Sequence, residues 1–284
     1  MQWNAEGAEA ALSVTFDNLG EAAEMELGLW PADQPVGRHF TVTDVLPRLL
    51  ETLASFSLSA TFFVEGLNAE VYPEALRSIA ERGHEVALHA WRHEQWVSLD
   101  LDAEARLLNR ATEAMKGAGL APSGFRPPGG LLTASTSALL AERGYRYVSP
   151  AGQREGIQDG LAILPFRWQL VDAYSFMPNF AGLRERFSGS SDPVGPDQMS
   201  RAMRASLEQH AGRGGHLALL FHPFAVGATG EPGWIALEEV LAAAVEIANE
   251  GRVGLMRMDA AAQWMLDHPD DIAHEPQLDE SSWI

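Results

Sequence analysis

A handful of polar residues stand where apolar runs end, and their types suit hydrolytic chemistry. Asp17 and Asn18 close the run Leu12–Phe16, and His89 and His93 stand four apart in His89-Ala90-Trp91-Arg92-His93. Arg126 precedes Pro127-Pro128-Gly129-Gly130, Asp172 follows a sixth run, and His222 closes a seventh in Leu219-Leu220-Phe221-His222-Pro223. Four-residue spacing places two imidazoles on one face of a helical turn, close enough to share a metal ion. An isolated pair of this kind more often means two unrelated histidines; the strand-end position beside Trp91 and Trp96 favours the metal. An aspartate next to a metal-bound water acts as general base, although acidic residues at strand ends also cap turns. His222, placed opposite Asp17 across a barrel mouth, would protonate a leaving amine; the plain alternative is a satisfied, partly buried histidine. Arg126, aimed by the rigid turn behind it, would orient a carboxylate rather than serve as a surface cation. Trp91 and Trp168 are first of all core residues and only secondarily ligand platforms.

The elements that position these residues alternate along the chain. Strands are expected at Leu12–Phe16, Ala60–Val64, Val86–Leu88, Tyr145–Val148, Leu161–Pro165, Leu217–Phe221 and Gly254–Met258, with a shorter one at Gly124–Arg126. Helical periodicity covers Asp44–Phe56, Tyr72–Arg82, Asp102–Lys116, Ser135–Arg143, Asp197–Ala211, Trp234–Asn249 and Asp259–Leu266, with glycine stops at Gly83, Gly117, Gly144 and Gly251. Alternation of this kind implies parallel βα units, and seven or so strands favour a distorted (β/α) barrel over an open sheet. The strand ends are then the active-site face. Leu27–Thr41 and Phe176–Asp197, rich in Pro, Gly and polar residues, are expected to be loops that shape the pocket. No break in composition divides residues 1–284, which read as a single catalytic domain with an acidic tail from about 268.

Composition narrows the chemistry further. The chain has 284 residues, no cysteine and a formal net charge of −19. Without thiolates, a metal would be held by His, Asp, Glu or Asn. The acidic balance argues against nucleic acid and anionic membrane as partners. No apolar run approaches the length of a membrane span, and Met1–Glu6 lack the features of an export signal, so a cytoplasmic address is expected.

Taken in order, Thr15-Phe16-Asp17-Asn18, His89–His93, Arg126–Gly130 and Phe221-His222 resemble the motif series of the polysaccharide deacetylases. Ala60-Thr61-Phe62-Phe63-Val64 and Arg82-Gly83-His84-Glu85-Val86 look similar too, so the resemblance runs from about Leu12 to Met258. His89-Ala90-Trp91-Arg92-His93-Glu94 looks most like the cytoplasmic branch, which includes peptidoglycan-deacetylase-like proteins and metal-independent allantoinases. The resemblance implies Asp17 as general base, His89 and His93 as metal ligands, Arg126 as the residue that holds Asp17, and His222 as general acid. Asp172 would tune His222. The implied chemistry is attack of metal-bound water, with Zn²⁺ the expected ion, on an N-acyl group, usually the acetyl of a sugar or related small molecule. That branch also implies a homo-oligomer, with Phe176–Asp197 and the tail as surfaces for it.

One position departs from the pattern. Asn18 stands where the motif has a second aspartate that completes the metal site. Its carbonyl oxygen brings no charge, so the ion would be held more weakly, or Glu21 or Asp17 would supply the missing carboxylate. The alternatives are an allantoinase-like cyclic amide hydrolase without metal, and a catalytically impaired barrel that binds carbohydrate.

Overall fold

The computed structural model describes Trp3, residues 7–272 and residues 275–279. Its strands are β1 (Ala10–Asp17), β2 (Thr61–Val64), β3 (Glu85–Leu88), β4 (Gly124–Phe125), β5 (Tyr147–Val148), β6 (Gly152–Arg154), β7 (Gly156–Gln158), β8 (Leu161–Ile163), β9 (Gly215–Phe221), β10 (Val253–Leu255) and β11 (Gln277–Leu278). The main sheet runs β10-β1-β2-β3-β4-β5-β8-β7, and β9 pairs with β1. Every pairing in it is parallel except β7 with β8. A bridge from Val171 to Leu220 joins the stretch beyond β8 to β9, and the curled sheet meets itself there. The result is the expected distorted barrel; among the described residues eight strands take part in its parallel pairing, the expected short strand β4 included.

Strand alternation decides what faces the middle. Side chains of a closed sheet point alternately inward and outward. Leu12, Val14 and Phe16 of β1 pack outward in the core beneath the helices, together with Phe62, Val64, Val86, Leu88, Leu219 and Phe221. Ala11, Phe63, Ala87, Ala218 and Leu220 form the inner core. Asp17, His89 and His222 share the inward parity of that second set, and each stands at or just past the last residue of its strand. The pleat therefore aims all three into the barrel mouth. Burial on both faces also explains the strand composition, since little but Ala, Val, Leu and Phe fits there.

The helices lie near their expected places: Leu46–Ser55, Pro73–Glu81, Leu101–Gly117, Thr136–Glu142, Pro196–Ala211, Glu231–Asn249 and Met258–Asp267. Asp100 caps one by accepting from the Ala103 N–H at 2.8 Å. Gly83, Gly144 and Gly251 take the left-handed backbone of helix stops, but Gly117 does not; its helix runs through it, and Gly119 makes the stop with φ 81°. Short helices stand at both expected loops, Ala22–Glu26 just before the first and Ala181–Ser188 within the second. The expected acidic tail falls partly on residues 273–274 and 280–284, outside the described residues. Of the rest, Gln277–Leu278 pairs antiparallel with β6. Among the described residues, no helix is long and apolar enough to cross a membrane.

Candidate active site

Arg126 is the keystone of the floor. It is 1% exposed, and its Nη1 donates to Asp17 Oδ1 at 2.7 Å and to Thr15 Oγ1 at 2.9 Å. Its Nε and Nη2 both donate to Ser149 Oγ, and the guanidinium stacks 3.9 Å from the centre of the Phe63 ring. Ser149 and Thr15 have the same inward parity, so the arginine threads the barrel interior to reach β1. With its donors engaged and its stem packed, it fixes Asp17 Oδ1 and leaves Oδ2 as the oxygen available to take a proton.

His222 is not opposite Asp17. Phe16 pairs with Phe221, so β9 lies directly beside β1 and puts His222 next to Asp17 on the neighbouring strand. Strand order, which the chain order does not reveal, corrects the expectation. Asp172 is brought to His222 by the Val171 bridge: its Oδ1 lies 2.6 Å from His222 Nδ1, and its Oδ2 accepts the His222 backbone N–H at 2.7 Å. Burial pushes the His222 pKa down, but the charge and hydrogen bond of Asp172 outweigh it and the net direction is up. With Nδ1 on Asp172, the proton at Nε2 is the one free to move.

His89 and His93 lie with ring centres 5.0 Å apart and planes at 71°. They do not sit on a helical turn. Ala90 and His93 have φ of 62° and 74°, so the chain makes a left-handed bend. Glu94 holds that bend by accepting the N–H groups of Trp91 and Arg92 at 3.1 and 3.0 Å. His89 Nδ1 donates to the Arg126 carbonyl at 2.8 Å, which leaves Nε2 as a lone-pair donor. Burial holds both imidazoles down to about 3, so they are neutral at physiological pH.

Asn18 also has a left-handed backbone, φ 62°, and its buried Oδ1 has no hydrogen-bond partner among the described residues. An orphaned amide oxygen is costly unless something else meets it. Asn18, His89, His93, Asp17, Arg126 and His222 all line one cavity of about 340 Å³. Two neutral imidazoles and an unpartnered oxygen fit a divalent cation of the Zn²⁺ kind. Glu21 does not contribute, because its carboxylate is committed elsewhere: Oε2 accepts the Tyr72 hydroxyl and Oε1 the Gly37 N–H, each at 2.6 Å.

The two expected pocket loops both reach the cavity, through Leu27, Leu29 and His39 on one side and Met177, Asn179 and Phe180 on the other. Trp168 lines it, while Trp91 is buried and covered by Arg110. One buried acid was missed in the sequence. Glu65 follows β2 with the inward parity of Thr61 and Phe63, and burial pushes its carboxyl up to about 8, with the Asp17 charge adding to the rise. The parity rule that finds His89 would have found it.

Comparison with known proteins places this geometry. The polysaccharide deacetylase family model matches residues 6–148. A structure from Mycobacterium smegmatis assigned to the polysaccharide deacetylases is 30% identical, covering 99% of this chain and 97% of that one at TM-score 0.79. The chain belongs to the polysaccharide deacetylase family. A peptidoglycan deacetylase of Helicobacter pylori is 32% identical over 103 residues, 36% of this chain and 35% of that protein. The chain spans little more than a third of the length of such curated relatives. The allantoinase PuuE shares the fold, with TM-score 0.71 over 94% of this chain and 93% of that one at 17% identity.

Proposed function

We propose that this member of the polysaccharide deacetylase family is a metal-dependent hydrolase of carbon–nitrogen bonds, which releases the acyl group of an N-acyl amine such as an N-acetyl sugar or a related small amide. The observation that carries the reading is the pairing of two poised groups on adjacent strands: Asp17 held by Arg126, and His222 held by Asp172. The family membership and the deacetylase relatives support the reaction class.

Asp17 takes the proton of the attacking water through Oδ2 while Arg126 keeps the carboxylate from turning. His222, protonated through its partnership with Asp172, gives its Nε2 proton to the departing nitrogen, so the amine leaves neutral. His89, His93 and Asn18 would hold a divalent ion, which would supply positive charge to polarise the carbonyl and make water a better nucleophile. The apolar walls exclude bulk water and strengthen these interactions.

Hydrolysis in ¹⁸O-labelled water tests the reaction class. The expected result is one ¹⁸O in a free carboxylic acid released together with an amine. Label retained in a single ring-opened product would mean cyclic amide cleavage instead, and no product would leave a binding barrel.

The His222–Asp172 pair predicts a pH signature. Because Asp172 raises the His222 pKa above its ordinary 6.5, activity that needs the protonated imidazole persists below that raised value and falls as pH rises through it. Asp172→Asn removes the largest effect that opposes burial and leaves only the smaller charge of Asp17 to raise the imidazole, so the descending limb of kcat/KM moves toward acid. A limb that stays in place would show that another group donates the proton.

We further propose that copies of the chain associate. Val36 and Phe40, 48% and 39% exposed, leave apolar surface uncovered, which supports this. Light scattering at micromolar concentration is expected to report more than one chain. A single-chain mass at every concentration would remove the idea.

A further inference from the structure

The walls of the cavity differ in kind from its floor. Every group assigned a chemical role lies at the floor, whereas the rim is built from Leu27, Leu29, Trp168, Met177, Phe180 and Phe224. Trp168 packs against Phe180 with ring centres 5.5 Å apart, and Phe224 lies 5.1 Å from the His222 ring. Polar groups are few there and mostly committed: His39 Nδ1 meets Thr41 Oγ1 at 2.7 Å and its Nε2 meets Glu24 Oε1 at 3.2 Å. Asn179 and the half-exposed carboxylate of Glu24 are the remaining polar side chains of that wall. Leu27 and Leu29 stay 64% and 68% exposed at the opening, although they belong to the same wall.

A sugar ring in this space would lose water from several hydroxyls and find little beyond Asn179 and Glu24 to replace it. Each hydroxyl left without a partner weakens binding, whereas apolar surface placed against these side chains strengthens it. A cavity of about 340 Å³ has room for a compact ligand. The leaving nitrogen must lie beside His222, and Phe224 packs on that histidine, so the apolar wall meets the amine half of the substrate.

We propose that the substrate is a compact N-acyl amine whose amine half is apolar, of aryl-alkyl size, in place of an N-acetylated glycan chain. This rests on the hydrolase reading above and narrows its substrate class. The acyl carbonyl sits over the floor among Asp17, His89, His93 and His222, and the amine body fills the rim. Water adds to the carbonyl carbon, the carbon–nitrogen bond breaks, the proton held by His222 passes to nitrogen, and acid and amine leave.

The test compares kcat/KM of the zinc-loaded protein for N-acetylphenethylamine, N-acetylglucosamine and its β-1,4-linked tetramer. The expected preference for the phenethylamide over either sugar is about 100-fold, the worth of burying one aromatic side group. Leu29→Asp, at an exposed position where folding is not at risk, is expected to lower that ratio about tenfold, chiefly through KM. A tetramer that turns over as well as the phenethylamide would overturn the substrate class and leave the hydrolase reading standing. If no compound is hydrolysed, the hydrolase reading fails, and saturation-transfer NMR then decides the pocket. Transfer to the phenethyl ring that weakens in Leu29→Asp upholds the apolar pocket; its absence overturns that too.

Discussion

Arg126→Met is expected to destabilise the protein by about 3–5 kcal/mol, the effect of breaking a buried ion pair by removing one partner. Asp17 and Arg126 have side chains only 5% and 1% exposed, so water does not compensate for a lost counter-charge. The substitution keeps the aliphatic stem and removes the guanidinium that stacks on Phe63, so the measured loss combines the ion pair with that contact. It also strips Thr15 and Ser149 of their donors. Urea unfolding at neutral pH measures the cost. In the double variant Asp17→Asn/Arg126→Met the stranded charge is gone, so the combined loss should fall short of the sum of the two single losses. A loss from Arg126→Met below about 1 kcal/mol, the scale of an exposed pair, would mean that the interior is wetter than its packing indicates.

Asn18→Asp is expected to tighten Zn²⁺ binding about 100-fold or more, since a carboxylate adds a Coulomb attraction of several kcal/mol in a partly desolvated pocket and about 1.4 kcal/mol is tenfold. The left-handed backbone at residue 18, φ 62°, is one that Asn and Asp both tolerate, so the exchange leaves the bend intact. The native protein should lose its ion to mild chelators, and His89→Ala should abolish binding in either background. Calorimetric titration of the three proteins measures this. Equal affinity for native and Asn18→Asp protein would turn residue 18 away from the ion, and Glu21 could not replace it because Tyr72 and Gly37 already hold its carboxylate.

Much of the fold was readable because buried parallel strands leave a strong pattern: an apolar run, then a polar residue of inward parity, then a helix. That pattern located Asp17, His89 and His222. Lateral strand order leaves no such trace. β9 lies late in the chain yet pairs with β1, so His222 is the neighbour of Asp17 and not its counterpart across the mouth. The bend at His89–His93 was misread as helical because its left-handed residues are alanine and histidine, where glycine would have signalled it. Non-glycine residues held at positive φ store strain, and Asn18, Ala90 and His93 all do so beside the cavity. The β6–β7 region was missed because its three-residue strands are too short to show alternation. The link of Asp172 to His222 depends on a single bridge at Val171, which no periodicity in the sequence announces. Glu65 escaped notice because an acid next to glycine at a strand end looks like a turn residue until its inward parity is considered.

The central claim is that Asp17 and His222 act together on one amide within one pocket. The most direct measurement is steady-state release of acid from N-acetylphenethylamine by zinc-loaded native, Asp17→Asn and His222→Ala proteins, with melting curves to confirm that each is folded. The account predicts turnover by the native protein and a fall in kcat of roughly 10²–10⁴ in each variant, the usual contribution of a positioned acid or base. Native turnover that survives both substitutions within about threefold, far less than loss of a positioned acid or base should cost, would contradict it.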